Sequence, residues 1–379
     1  MTEVREKSPL TVVGIGADGW PGLSERAKEA LLGADVVVGS PRQLAYLPAG
    51  MKSEPWPSPL LPGLDAFLAE REGRVCVLAS GDPLLSGIGT TLIQRGYDVE
   101  VLPALSSATL ARAKLGWSAE ETEVVTVVGR AISRVNRVLT PGRKILVLGA
   151  NAEDLLDLLK ARGYGKSRVT ALSDLGGPEE RVGPGTLTVF AIEADGPALP
   201  LTGLPDDAFE HDGQLTKRDL RASALARLAP TPGELLWDVG AGAGSVGIEW
   251  SRIHPANRAI AIERSPERAA RITRNAHALG VPELDVVIGA APDALDGLTR
   301  PHAIFVGGGL TVPGLLDACL ATGARIVAHG VTLESEQVLA RAYGEHGGEL
   351  IRVGVEQAAP LGGFTGWTPA RAVTQWSKP

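Results

Sequence analysis

Twice along this chain of 379 residues, a short apolar run ends in a glycine-rich turn and leads into a helical pattern. The first instance is VVGIGADG (12–19) and the second is WDVGAGAGSVG (237–247). Turns of this composition let the backbone pass close to a ligand or a neighbouring strand, because no Cβ stands in the way. The first turn belongs to a series of β-rich runs: LTVVGIG (10–16), ADVVVG (34–39), RVCVLAS (74–80), DVEVLP (98–103), EVVTVVG (123–129) and KILVLG (144–149). Amphipathic stretches separate them, such as LSERAKEALLG (23–33), whose Leu23, Ala27, Ala30 and Leu31 share one helical face. Strands apolar on both faces, alternating with helices, predict an α/β fold with mostly parallel sheets.

The alternation is interrupted once. A strand-like TLTVFAIEA (186–194) gives way to DGPALPLTGLPDD (195–207), where three prolines and two glycines mark a linker. Beyond it the pattern starts afresh with KRDLRASALARLA, ELLWDVG, SVGIEWSRIH, AIAIE, SPERAARITRNAHALG, LDVVIG, HAIFVGGG and RIVAHGV, enough for a complete doubly wound unit. The chain is too long for one ordinary core, so a division near 203 predicts domains over 1–202 and 203–379. No internal repeat or low-complexity segment is evident.

Charge and composition narrow the function classes. A net charge of −7 argues against a general nucleic-acid binder, whose footprint should be basic. The N-terminus MTEVREKSPL lacks the apolar core of a signal peptide, and no apolar run reaches the roughly 18 residues of a membrane span. A cytoplasmic protein without membrane attachment is expected. Cys76 and Cys319 lie in apolar runs and read as reduced core residues.

The second turn carries the sharper chemistry. Gly242, Gly244 and Gly247 form a GxGxxG pattern, which by itself fits a dinucleotide site. Asp238 precedes it, giving D-x-G-x-G-x-G, and Glu263 ends the next apolar run, where a carboxylate can accept from ribose hydroxyls. An acid ahead of the glycines suits S-adenosylmethionine, which brings an ammonium group and no pyrophosphate. Helix-start donors can meet its carboxylate. A tight turn with no ligand is the plain alternative.

GLPDDAFEHDGQLTKRDLRASALARL (203–228), LLWDVGAGAGSVGIEW, IFVGGG and VTLES together closely resemble the cobalamin-pathway methyltransferases that act on carbon 15 of a precorrin. The resemblance covers nearly all of 203–379. It implies a class I (Rossmann-like) methyltransferase fold and decarboxylation of an acetate side chain. By position it assigns cofactor contacts to Thr216, Gly240, Ala241, Gly242, Ala243, Gly244, Glu263 and Ala291, beside Asp238. Where that family tends to have Asn-Ala before VTLE, this chain has His329-Gly330. His329 can donate a hydrogen bond to substrate with a titratable ring, or it can be a satisfied histidine at a strand end.

VVGIGADGWPGLSERAKEALLGADVVVGSPRQL, ASGDPLLSGIG (79–89) and LPALSSATLARAKLGW (102–117) resemble the tetrapyrrole methylases, in the branch that methylates a precorrin at carbon 5. This likeness spans about 10–195 and implies two α/β lobes with S-adenosylmethionine in the cleft between them. It places Gly81, Asp82, Ser106 and Ser107 at the cofactor, Leu85 on the cleft wall and Gly14 at its opening. The first turn is not a Walker A loop, since no Gly-Lys-Ser/Thr follows its glycines. The chain departs from the wider family at Gly16-Ala17-Asp18-Gly19, at Arg42-Gln43-Leu44 and at Val128-Gly129-Arg130. Arg130 opens a run with Arg134, Arg137, Arg143 and Lys144 and no acid before Asn151. That run is a solvated face, or it offers Arg130 to substrate carboxylates.

As a whole the chain resembles the fused C5,15 methyltransferases of the cobalamin pathway. The resemblance implies methylation of precorrin-6Y at C5 and C15, with loss of the C12 acetate carboxyl, to give precorrin-8X. It also implies two S-adenosylmethionine sites, one per domain, and a homo-oligomer. Methyl transfer from a sulfonium needs alignment more than a protein nucleophile, which accords with the lack of a Ser-His-Asp, Cys-His or metal-ligand cluster. Lys217 and Arg218, beside Thr216, are candidate anchors for substrate carboxylates, unless they are simple surface charges at a helix start. Two rival readings remain: a methyltransferase for another acceptor such as RNA, and an N-terminal half that serves only as a scaffold.

Overall fold

The computed structural model describes residues 9–379. The chain forms two compact units, one from residues up to Ile132 together with Thr140–Pro197, the other from Ser133–Leu139 together with Ala198–Pro379.

The first unit holds two five-stranded sheets. One contains β1 (Leu10–Ile15), β2 (Val36–Gly39), β3 (Ser53–Pro55), β4 (Val75–Ser80) and β5 (Val99–Leu102), all parallel, in the order β3-β2-β4-β1-β5. Its strands read as continuous apolar runs because both faces are buried. Val12, Val36, Val38, Val75 and Val77 pack on one side, and Val13, Ile15, Val37, Cys76 and Leu78 on the other. The other sheet contains β6 (Thr122–Thr126), β7 (Lys144–Leu148), β8 (Arg168–Ser173), β9 (Arg181–Val182) and β10 (Thr188–Glu193), in the order β6-β7-β10-β8-β9. Only β6 and β7 run parallel there, so the expectation of mostly parallel sheets fails in this lobe. A strand buried on both faces shows the same apolar run whichever way its neighbour points.

The second unit is built on one seven-stranded sheet of β11 (Leu235–Val239), β12 (Arg258–Glu263), β13 (Asp285–Ile288), β14 (Ala303–Val306), β15 (Arg325–Gly330), β16 (Glu349–Val353) and β19 (Val373–Lys378). A separate hairpin of β17 (Glu356–Leu361) and β18 (Phe364–Pro369) precedes the last strand. The order β13-β12-β11-β14-β15-β19-β16 has β11 to β15 parallel, with β19 antiparallel to both neighbours. Alternate residues fill two cores. Leu236, Ala259, Ala261, Phe305 and Val327 face the helices Arg218–Leu228, Ser245–Ile253 and Pro266–Ala278. Trp237, Ile260, Ile262, Ile304 and Ala328 face Leu315–Ala321 and Leu333–His346. Strand order reverses at β11, and in such sheets ligands bind beyond the carboxyl ends of the strands at that point.

Candidate functional site

Beyond the ends of β11, β12, β14 and β15 lies a cavity of about 550 Å³. Its wall includes Thr216, Gly240, Ala241, Gly242, Glu263 and Ala291, all expected there, together with His329. The turn after β11 needs its glycines. Gly240 has φ +68°, and a Cβ there would lie 2.9 Å from the Gly308 nitrogen. Gly242 has φ +59°, and its Cβ would meet the Gln214 carbonyl at 2.9 Å. A side chain at either position would be strained and would push into backbone that cannot retreat. Glu263 ties the turn down: Oε2 accepts from the Gly242 N–H at 2.9 Å, and Oε1 from the Ser265 N–H at 3.0 Å.

Three expected contacts are absent from the wall. Along β11, Asp238 shares the face of Leu236, so it points beneath the turn toward the helix Ser245–Ile253. It is 1% exposed, and its Oδ2 accepts from the Gly247 N–H at 2.9 Å. It therefore does not reach a ligand ammonium in the cavity. Burial pushes its carboxyl up to about 7, with the Gly247 N–H opposing and the Glu263 charge adding to the rise. Oδ1 has no hydrogen-bond partner among the described residues. Ala243 is buried, its carbonyl accepting from Asn275 at 3.0 Å. Gly244 caps the following helix and leaves no room for a Cβ beside Ile272.

Positioning of Thr216 depends on a buried ion pair that the sequence reading missed. Arg221 is fully buried; its Nε donates to Glu249 Oε1 at 2.6 Å and its Nη1 to the Thr216 carbonyl at 2.6 Å. It also donates to the Leu204 carbonyl. Glu249 in turn accepts from the Gly203 and Leu204 N–H groups at 2.8 and 2.9 Å. The pair thus fastens the lead-in segment, with Thr216, to the sheet. A signal existed: Arg221 stands at helical spacing with Leu225 and Leu228, on the face that must be apolar.

The basic residues on the wall are Arg264 and Arg268, not the expected anchors. Lys217 Nζ lies 3.6 Å from Asp206 Oδ2, and the Arg218 backbone N–H donates to Asp206 Oδ1 at 3.0 Å; neither residue lines the cavity. Arg268 Nε and Arg271 Nη1 hold Asp212 at 2.9 and 3.1 Å, which keeps that carboxyl below its ordinary range. The His329 ring meets Gln375 Oε1 at 2.8 Å through Nε2 and stands edge-on to Phe305 at 5.0 Å. Burial pushes its pKa down, and Gln375 partly restores it.

A second cavity of about 380 Å³ lies in the first unit, lined by Gly14, Gly16, Asp18, Ser24, Ala104 and Leu175 among others. Three segments converge at Gly14, where a Cβ would lie 2.1 Å from the Gly81 carbonyl and 2.6 Å from the Ala104 nitrogen. Gly81, φ +58°, abuts the Leu105 carbonyl in the same way. Yet Gly81, Asp82, Leu85, Ser106 and Ser107 do not line this cavity. Asp82 Oδ1 accepts from the Leu84 N–H at 2.9 Å, and Ser106 caps the helix Ser107–Leu115 through the Thr109 N–H at 3.1 Å. Leu85 packs against the core of the second lobe. These side chains serve their own loops, and what converges near Gly14 is backbone.

Arg130 is exposed and lines neither cavity. The rest of its basic run is occupied: Arg134 pairs with Glu283, Arg143 with Glu123 at 3.4 Å and Lys144 with Glu121 at 3.3 Å. Arg137 donates to the Arg252 carbonyl at 3.2 Å. Cys76 and Cys319 are buried free thiols, pushed up to about 11 and about 12 by desolvation. No helix among the described residues is long and apolar enough to cross a membrane.

Residues 9–191 match the family of tetrapyrrole (corrin/porphyrin) methylases, and residues 207–378 match the precorrin methyltransferase domain. Fold and matches define a methyltransferase built from a two-lobed tetrapyrrole methylase domain followed by a Rossmann-like precorrin methyltransferase domain. A precorrin-6Y C(5,15)-methyltransferase [decarboxylating] from Sinorhizobium sp is 47% identical over 97% of this chain and 95% of its own length. The chain belongs to that family of precorrin-6Y C(5,15)-methyltransferases. Two single-activity relatives match smaller shares. A probable cobalt-precorrin-6B C(15)-methyltransferase (decarboxylating) of Pyrobaculum calidifontis is 35% identical over 45% of this chain and 92% of its own. A cobalt-precorrin-7 C(5)-methyltransferase of Salmonella typhimurium is 31% identical over 49% of this chain and 94% of its own.

Proposed function

We propose that this chain methylates precorrin-6Y at C5 and at C15 and removes the carboxyl of the C12 acetate arm, giving precorrin-8X in cobalamin biosynthesis. In this reading the first unit serves C5, and the second serves C15 and the decarboxylation. S-adenosylmethionine supplies an activated methyl on a sulfonium at each of two sites. The observation that carries the reading is the cavity at the switch point of the seven-stranded sheet. There Gly240 and Gly242 admit a ligand to the backbone, and Glu263 stands at the next strand end.

The cavity fits such a donor. Glu263 retains acceptor capacity for hydroxyls beyond its two backbone bonds, and Arg264 and Arg268 offer positive charge to carboxylates. Methyl transfer needs the acceptor carbon held in line with the leaving sulfur, so the protein contributes alignment and exclusion of water. Its residues then need only hold the macrocycle's carboxylates and move protons.

A cytoplasmic homo-oligomer that takes a tetrapyrrole and no nucleic acid belongs to the same proposal. Leu361, Phe364 and Trp367, 67, 84 and 72% exposed on the β17–β18 hairpin, support self-association. The net charge of −7 supports the absence of nucleic acid.

Mass spectrometry of products made by the full chain from precorrin-6Y and S-adenosylmethionine tests the function. Two added methyls with one lost carbon dioxide are expected. A single added methyl would show one site to be silent, and an unchanged substrate would overturn the proposal.

A further inference from the structure

The parallel sheet of the first unit ends along one edge in turns that follow β1, β2, β4 and β5. Ligands of open parallel sheets lie along this edge. The cavity of about 380 Å³ takes up its β1 and β5 part, with Gly16 from one turn and Ala104 from the other. The β2 and β4 part, outside that cavity, carries a cluster of hydrogen-bond donors from Arg42, Gln43 and Ser80.

Gln43, 6% exposed on the short helix Pro41–Leu44, fixes the cluster. Its Oε1 accepts from the Ser40 N–H at 2.8 Å, which leaves Nε2 to donate to Ser80 Oγ at 3.0 Å. Arg42 Nη2 donates to the same oxygen at 2.8 Å. Both lone pairs of the Ser80 hydroxyl are then filled, so its own hydrogen points to an acceptor elsewhere. Among the described residues no acceptor meets it. No carboxylate among them meets Arg42 either. Arg26, Arg71 and Arg95 of the same lobe pair with Glu100, Glu54 and Asp65, whereas Arg42 is held by a hydroxyl alone. Its Nε and Nη1 keep their hydrogens for a ligand. Ser80 is exposed and Arg42 half-buried, so both are open to one.

An arginine fork beside a hydroxyl donor, with no acid between them, has the chemistry that takes a carboxylate. Its place on the edge fits a large acceptor. Ser80 stands one strand from the cavity, in register with Ile15 of β1. Arg42 follows β2, two strand spacings from β1, which is roughly 10 Å along the edge. An acceptor that meets the methyl donor over the cavity extends along this edge, and a tetrapyrrole carries its acid arms on its rim.

We propose that Arg42 and Ser80 form a carboxylate site of the first unit, which holds an acid arm of the tetrapyrrole while C5 is methylated. The inference rests on the function proposed above. Arg42 supplies the fork, Ser80 adds a hydroxyl donor, and buried Gln43 keeps the hydroxyl turned outward. The methyl donor has a carboxylate too, at its amino-acid end. Binding of S-adenosylhomocysteine, which keeps that carboxylate, separates the two sources.

The test uses the full chain at saturating S-adenosylmethionine with precorrin-6Y varied. Product mass counts the methyls, and carbon dioxide release reports the second unit. Arg42→Ala should raise KM for C5 methylation about tenfold, the scale of one hydrogen bond to a charged group, and leave kcat within about twofold. Ser80→Ala, which keeps the guanidinium, should raise KM by a smaller factor, about threefold. Arg42→Lys keeps the charge without the fork and should fall between the wild type and Arg42→Ala. All three should bind S-adenosylhomocysteine with the wild-type affinity. They should also release carbon dioxide at the wild-type rate when precorrin-6Y saturates. An unchanged KM in Arg42→Ala would overturn the assignment, whether or not the melting temperature moves. Weaker binding of S-adenosylhomocysteine at unchanged KM would give the carboxylate to the donor and overturn it as well. A wild-type chain that adds no methyl at C5 would overturn the function itself. That result is distinct from a wild type that methylates C5 and an Arg42→Ala chain that matches it.

Discussion

The two glycine-rich turns look alike in sequence and do different work. After β11, the turn itself faces the cavity: Gly240, Ala241 and Gly242 line it, and Glu263 from the next strand pins the turn in place. Near the end of β1, Gly14 is needed because the Gly81 carbonyl and the Ala104 nitrogen press against it, which locks three segments together. The wall of that cavity draws on Gly16, Asp18 and Ser24 from one lobe and on Leu175 and Gly176 from the other. One site is thus centred on a glycine-rich turn that itself lines the cavity, with Thr216, Ala291 and His329 joining it from other strand ends and loops. The other is assembled from separated segments whose side chains mostly serve their own loops.

The comparison breaks most sharply at Arg221. Arg221→Ala leaves Glu249 buried without its cation, a cost of about 3–5 kcal/mol. Calorimetry on the full chain should show a transition of the second unit that moves down by many degrees, with that of the first unit in place. The product should then carry the C5 methyl alone. Equal destabilisation of both units would show that they do not melt as distinct bodies.

A smaller effect is expected at Asp238. Its carboxyl, raised to about 7 by burial, binds its proton more tightly in the folded than in the unfolded chain. By linkage, that group's contribution to stability falls as pH rises from the ordinary aspartate range toward 7, by at most about 4 kcal/mol. Asp238→Asn should remove this decline from the second unit. Denaturation curves at pH 5 and pH 8 check it, and a variant with the wild-type pH slope would contradict it.

The smallest effects compare the two turn carboxylates. Glu263→Gln keeps one acceptor but presents an amide to a second N–H, a loss of about 1–2 kcal/mol. That corresponds to roughly tenfold weaker binding of S-adenosylhomocysteine at the second site. Asp18 makes no hydrogen bond among the described residues, so Asp18→Asn should change stability by less than about 0.5 kcal/mol. Thermal melts and titrations of both variants check the contrast.

What the sequence made legible follows the same division. Alternation of apolar runs and helical faces marked nearly every parallel strand, because burial on both faces leaves a continuous signal. The antiparallel strands Arg168–Ser173, Glu349–Val353 and Val373–Lys378 and the hairpin at 356–369 carry a weaker pattern and were not foreseen. At the second site the motif located the wall, except where strand alternation turned Asp238 beneath it and the helix start absorbed Ala243 and Gly244. At the first site the motifs marked where loops meet, but backbone rather than side chains makes that meeting. Arg221 and Glu249 escaped because a charge on a helix reads as solvent-facing unless its partner is known. The partner is 28 positions away.

The central claim is that one chain holds two methyl-donor sites of different construction. Isothermal titration of the full chain with S-adenosylhomocysteine tests it most directly. Two equivalents per chain are predicted, falling to one in Gly240→Val, where a branched side chain meets the Gly308 backbone. One equivalent in the wild type, lost in that variant, would contradict the claim and leave the first unit without a donor site.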